Sequence, residues 1–335
     1  MNKRRKLLIA CGLSLPAIIT LPWPANAAPP PGKVLRVGLL YAVREKFEPA
    51  SNPVDRALVE SLRAQGYEPG RNIALDFRSA GGKFERLREL AAELVRLKAD
   101  VLVTLGTEAT LAAREATQTV PIVMVGATDP VETGVIASLS RPRGNVTGLS
   151  VNASEISAKR VQLLREAVPK LSRVAVLWNS TLKAMMLGFQ QIETAAPSLG
   201  VTVQSIRVAG SDDLDKAFSA IGSGRPGGLI VLFGPMRGSD LPRIVEFVTQ
   251  NKVPTIFELG QGVRGGGLME FGPSLAELAR HVGAYVDKIA NGARPGDLPV
   301  EEPTRFELVV NLKAGAALGL AIPQSILLRA DRVIE

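Results

Sequence analysis

The chain has 335 residues with one histidine, one cysteine and two tryptophans. Cys11 and Trp23 lie in an apolar N-terminal stretch. Beyond it there is no thiol, so a disulfide framework, a Cys-based zinc or iron–sulfur site and a thiol nucleophile are excluded. Any Ser-His-Asp arrangement must run through His281. The formal net charge is +8, but Lys3, Arg4, Arg5 and Lys6 supply four of the 40 basic residues and residues 1–27 carry no acid. The remaining chain balances 36 basic against 32 acidic side chains, scattered rather than clustered. That pattern gives no footprint for nucleic acid.

Residues 1–27 read as an export signal. Met1–Lys6 is a basic leader, Leu7–Leu21 an apolar run broken by Pro16, and Ala25-Asn26-Ala27 fits the A-x-A cleavage rule, with cleavage expected before Ala28. The run is short for a membrane span. Leu8-Ile9-Ala10-Cys11 resembles a lipoprotein box, yet most of the apolar run follows Cys11 rather than preceding it. Cleavage after Ala27 is therefore favoured over lipidation at Cys11. Arg4-Arg5 loosely resembles a twin-arginine signal, which leaves the export route open. Residues 28–33, with Pro29-Pro30-Pro31-Gly32, read as a stiff linker.

From Val34 the chain alternates strands and helices. Val34–Tyr41, Ile73–Phe77, Val101–Leu105 and Pro121–Val125 read as strands. Asp55–Gln65, Lys83–Lys98 and Thr107–Gln118 read as helices. In Lys83–Lys98 the residues Phe84, Leu87, Leu90, Ala91, Leu94 and Val95 share one face. The alternation recurs with strands at Arg173–Trp178, Val201–Val208, Gly228–Phe233 and Pro254–Phe257. The helices between them are Ser157–Val168, Lys183–Leu199, Asp213–Ile221 and Leu241–Asn251. Another apolar helical stripe follows Pro273. Short continuous apolar strands separated by amphipathic helices imply parallel sheets covered on both faces. About ten strands exceed one small sheet, and some 308 residues exceed one core. The expectation is an α/β protein with two doubly wound parallel-sheet lobes and a ligand cleft between them. Arg141–Asn145 and Gly260–Gly267 are the boundary candidates.

Three motifs compete with simpler readings. Gly260–Gly265 spells G-x-G-x-x-G, but an extended segment follows where a dinucleotide site needs a helix N-terminus, so a loop or hinge is expected. Ser180-Thr181-Leu182-Lys183 matches S-x-x-K at a helix start, without its S-D-N and K-T-G partners; a Ser or Thr N-cap is the simpler reading. His281 falls off the apolar face of its helix and reads as a solvated flank residue.

In parallel α/β sheets ligands bind beyond the carboxyl ends of the strands. Those positions nominate Tyr41, Gly106, Thr107, Thr128, Asp129, Asn179, Ser180, Gly234 and Glu258. Gly106-Thr107 and Thr128-Asp129-Pro130 would offer helix N-terminal amides to a carboxylate. Asp129 and Glu258 could hold an ammonium group. Asp129-Pro130 is equally a helix N-cap followed by proline. Trp178 could stack a ligand, though a core position is favoured.

Several long blocks, in order, then resemble the substrate-binding proteins of ABC transporters of the tryptophan/tyrosine type. They are Gly81–Gly106, Pro121–Pro130, Pro142–Leu149, Glu166–Asn179, Gly266–Leu275, Tyr285–Pro299 and Phe306–Ala330. The resemblance implies a type I periplasmic binding fold, a cleft that holds a small solute, and an inner-membrane ABC permease as partner. It implies an N-terminal lobe of residues 34–148 plus 266–298 and a C-terminal lobe of 149–265 plus 299–335. Two departures stand out: Phe271 replaces a frequent Tyr, and Glu270 replaces a small polar residue. The expectation is a periplasmic monomer that closes on its solute about a hinge. It needs no cofactor, metal or nucleic acid and performs no catalysis. The alternatives are an exported serine hydrolase using Ser180 and Lys183, or a ligand-binding partner of a membrane sensor.

Overall fold

The computed structural model describes residues 34–232, 240–258, 262–303 and 305–335. The first sheet collects β1 (Leu35–Tyr41), β2 (Ile73–Ser79), β3 (Val101–Leu105), β4 (Ile122–Thr128) and β5 (Val146–Val151) in the order β2-β1-β3-β4-β5, all parallel. Helices α1 (Pro53–Ala64), α2 (Leu87–Arg96) and α3 (Thr107–Ala116) cover its two faces. The strand order explains why both faces are covered. Connections run outward in both directions from β1 and β3, and right-handed crossovers then place helices on opposite sides.

The second sheet follows α4 (Ala153–Ala167). It holds β6 (Arg173–Asn179), β7 (Thr202–Val208), β8 (Gly228–Val231), β9 (Thr255–Phe257) and β10 (Met269–Pro273). Helices α5 (Lys183–Ala195), α6 (Leu214–Gly224) and α7 (Asp240–Gln250) intervene. The chain then makes α8 (Leu275–Ala290), β11 (Phe306–Asn311), α9 (Leu312–Ala317), α10 (Gln324–Leu327) and β12 (Arg332–Ile334). The second sheet runs β12-β11-β10-β9-β8-β6-β7, and β10 meets β11 antiparallel. That single reversal arises because β11 is reached through α8 and a long connection rather than a local crossover.

Each sheet carries an apolar layer on both faces. In the first lobe Leu39, Val103 and Val125 face Leu58 and Val282, while Leu40, Leu102 and Met124 face Leu94 and Ala113. In the second, Val176, Ile230 and Ile256 face Leu164 and Ile192; Leu177, Leu229 and Val231 face Ala217 and Ile244.

The crossings between lobes fall later than expected. β5 continues past Leu149 to Val151 before α4 leaves. The strand Met269–Pro273 pairs with β9 and β11 in the second sheet, so the second crossing follows Pro273 rather than Gly265. Residues 299–301 still belong to the first lobe, because Val300 N donates to Leu139 O (2.8 Å) and Glu301 N donates to Gly148 O (3.0 Å). The segment Arg141–Asn145 is no boundary: buried Asn145 ties it back with Nδ2 donating to Val120 O at 2.9 Å. No described helix is long and apolar enough to cross a membrane.

Candidate functional site

The carboxyl ends of β3, β4 and β5 converge in the first lobe. Gly106 closes β3 and serves as N-cap of α3, so Thr107 opens that helix. The first amides of a helix have no partner within it, and the helix dipole adds positive potential there. Thr107 is buried, and its Oγ1 accepts from Thr128 N at 2.9 Å, which fastens the end of β3 to the end of β4. Asp129 N donates to Val151 O at 2.9 Å, which fastens β4 to β5. Gly106, Thr107, Thr128 and Asp129 therefore form one contiguous corner.

One detail of that corner differs from expectation. Thr128-Asp129-Pro130 opens a turn, not a helix. Asp129 has φ +39°, and its carbonyl accepts from Thr133 N at 2.9 Å. Its own amide is spent on Val151, so α3 alone presents a helix N-terminus here. Glu108 shares that end. Burial raises its carboxyl pKa, against the opposing pull of its own backbone N–H.

Tyr41 ends β1 beside Leu105 of β3. Its ring is buried edge-on against Phe77 (5.2 Å between centroids) and its hydroxyl donates to Asp55 Oδ1 at 3.1 Å. Desolvation, and then the Asp55 charge, push its pKa up. Arg44 lies over the ring, 4.9 Å from its centroid, and pairs with the fully buried Asp55 at 2.9 Å. Tyr41 thus braces the corner through its side chain instead of offering a free hydroxyl.

The second lobe presents two separate groups. Asn179 ends β6 and folds its side chain into its own turn, with Oδ1 accepting from Thr181 N (2.9 Å) and Thr181 Oγ1 (2.7 Å). Ser180 N donates to Val208 O at 2.9 Å on the edge strand β7. The N-cap of α5 is Leu182, without a side-chain cap, so neither Ser180 nor Thr181 plays that part. His281 is exposed on α8, with Nδ1 2.8 Å from Glu301 Oε2, and lies in the other lobe from Ser180. Glu258 follows β9 directly. It is 14% exposed and pairs with Arg160 at 3.3 Å. Gly234 lies outside the described residues. Because β8 separates β6 from β9, Asn179 and Ser180 are two strands away from Glu258.

Other expectations resolve simply. A strand, Met269–Pro273, follows the G-x-G-x-x-G stretch. Trp178 is a core residue stacked on Phe189 at 4.7 Å, with Nε1 donating to Ser205 Oγ at 3.0 Å. Arg160 was missed by the strand-end rule because it sits within α4. Its signal is a charge at the spacing Ile156, Arg160, Leu163, Ala167, where the other three positions are apolar and buried.

Two α/β lobes, each built on a largely parallel sheet, are the architecture of the periplasmic binding class. Residues 48–334 match the family model for ABC transporter substrate binding proteins, and the chain belongs to that family. It is 27% identical to the tyrosine-binding protein of Clostridioides difficile (strain R20291) over 266 residues, 78% of this chain and 75% of that one. The structure of an ABC domain in complex with L-Trp from Streptococcus pneumonia superposes with a TM-score of 0.82 at 24% identity, covering 90% of this chain and 99% of that one. The ligand-free, open structure of a substrate binding protein with adhesive properties from Clostridium difficile superposes at 0.65, also at 24% identity, with 90% and 99% covered. The chain is thus the solute-binding component of an ABC transporter, a class that binds its substrate without converting it.

Proposed function

We propose that the chain is exported, captures a small solute of the amino acid class between its lobes by hinge closure, and delivers it to an inner-membrane ABC permease as a periplasmic monomer. The observation that carries this reading is the pairing of the two superpositions. At equal identity and coverage, the chain fits the L-Trp complex at 0.82 and the open, ligand-free structure at 0.65. We read the difference between the two scores as one of lobe arrangement, since the fold is shared. A closed form held by contacts to both lobes is the population that a ligand selects.

The chemistry fits a zwitterion. Backbone amides of α3 at Gly106-Thr107 suit a carboxylate. Glu258, at the end of β9 in the other lobe, suits an ammonium group, and Asp129 supplies a second acid on the first lobe. The aromatic side chains near the first-lobe corner, Tyr41, Phe77 and Phe47, pack on one another. We therefore assign the amino acid head group to the site and leave its side chain to experiment.

Native mass spectrometry of freshly purified protein, followed by calorimetry with L-tyrosine and L-tryptophan, tests the reading. Thr107→Ala and Asp129→Ala are each expected to weaken binding by about 1–3 kcal/mol, or roughly 5- to 150-fold. Unchanged affinity in both variants would remove the corner from the site. N-terminal sequencing of the exported protein should begin at Ala28, and a lipid on Cys11 would overturn that placement.

A further inference from the structure

The second lobe buries one guanidinium whose partners lie on separate segments. Arg160 is 1% exposed on α4, the first helix after the chain leaves β5. Its Nε donates to Phe271 O at 2.8 Å, on β10, which leads through Pro273 into the second crossing. Its Nη2 lies 3.3 Å from Glu258 Oε1, at the cleft end of β9. One side chain therefore connects the start of one crossing, the approach to another, and a carboxylate placed for solute.

The cluster is unfinished as a structural feature. Arg160 Nη2, Glu258 Oε2 and Ser157 Oγ are buried side-chain atoms with no hydrogen-bond partner among the described residues. Ser157 stands one turn before Arg160. Burying both charges costs several kcal/mol, and a well-packed apolar pair would serve stability equally well or better. The backbone around the cluster is tight. A Cβ on Gly272 would stand 2.1 Å from Glu258 O and 3.7 Å from Arg160 Nη2. The end of β9 and the exit of β10 therefore have no slack between them.

We propose that Arg160 is a positioning residue that sets the angle between the lobes, by tying the Glu258 carboxylate to the strand entering the second crossing. Glu258 Oε2 is buried beside that linkage. A pull on Glu258 reaches Phe271 through the guanidinium fork, which lysine cannot reproduce with a single ammonium. This inference rests on the hinge-closure reading above.

The test uses the exported protein, which has no cysteine after Cys11, with spin labels on Glu89→Cys (first lobe) and Lys216→Cys (second lobe), both at exposed positions. Pulsed electron paramagnetic resonance gives the interlobe distance distribution without added solute. Arg160→Lys and Glu258→Gln are each expected to broaden it and move it to longer distances. The double variant should move it no further than either alone, because both break one linkage. Melting curves accompany each variant, and if Arg160→Lys does not fold, Glu258→Gln alone decides. A wild-type distribution in a folded Arg160→Lys or in Glu258→Gln overturns the proposal, as do additive shifts. Addition of L-tyrosine or L-tryptophan to the wild type tests closure separately. An unchanged wild-type distance there, with the variants still displaced, rejects the solute and leaves the linkage standing.

Discussion

Gly283→Ala is expected to lower the stability of the first lobe by about 1–3 kcal/mol. Gly283 lies within α8, the helix that the chain sends back from the second lobe to pack across α1. A Cβ there would stand 2.1 Å from Ser61 O, 2.4 Å from Ser61 C and 2.9 Å from Leu62 N, all backbone atoms of α1 that cannot rotate aside. Gly283 N also donates to Ser61 Oγ at 3.1 Å. In isolation alanine favours a helix over glycine by about 1 kcal/mol. The clash opposes that gain and exceeds it, because relieving it separates Leu278, Val282 and Val286 from Leu58 and Leu62 in the buried layer. Urea unfolding followed by circular dichroism measures the change. A midpoint equal to or above the wild type would show that the two helices can part without cost.

Glu270→Gln is expected to stabilise the protein at pH 8.5 by about 2–3 kcal/mol and to change little at pH 5. Glu270 is 8% exposed in the second sheet, between Phe257 on β9 and Val309 on β11, and its Oε2 finds no hydrogen-bond partner among the described residues. Burial is the main cause that lifts its pKa from 4.5 to about 7; Arg332, Arg264 and Arg160 oppose the rise, and Glu307 adds to it. The folded state therefore holds a proton that the unfolded state releases between those values. Folding stability falls as pH climbs from about 4.5 through about 7, and the full penalty persists above. Glutamine removes the charge and with it that slope. Unfolding midpoints of both proteins across the range isolate this residue, and parallel profiles would refute the assignment.

The two-lobed α/β plan was legible because its signal is local. Runs such as Val101–Leu105 and Gly228–Val231 are buried on both faces, and the stripe of Leu87, Leu90, Ala91 and Leu94 covers one of them. β5 was harder to see. Its apolar residues are interrupted by Thr147, Gly148 and Ser150, and the sequence pattern names no strand there. The second crossing was misplaced at Gly265 because the glycine run is the more conspicuous break, whereas Pro273-Ser274 both closes a strand and caps α8 through Ser274 Oγ. The strand-end rule nominated Thr107, Thr128 and Asp129, and the structure gathers them in one corner because sheet order brings consecutive strand ends together. It did not reveal that Asn179 bonds its own turn, or that Tyr41 points inward to Asp55. Those outcomes depend on side-chain partners distant in sequence or on turn chemistry, and Arg44 and Arg160 escaped notice for the same reason.

The stacked indole of the second lobe has a practical consequence. The chain has two tryptophans, Trp23 and Trp178. Phe189 covers its face and Ser205 occupies its N–H, within an apolar cluster that includes Val176 and Leu182. Beyond residue 27 the chain thus carries one tryptophan, whose buried, stacked position predicts blue-shifted emission shielded from quenchers. Its emission should report melting of that lobe and remain nearly constant as the other lobe unfolds. A titration with tryptophan would then display the solute's own emission against an almost fixed background.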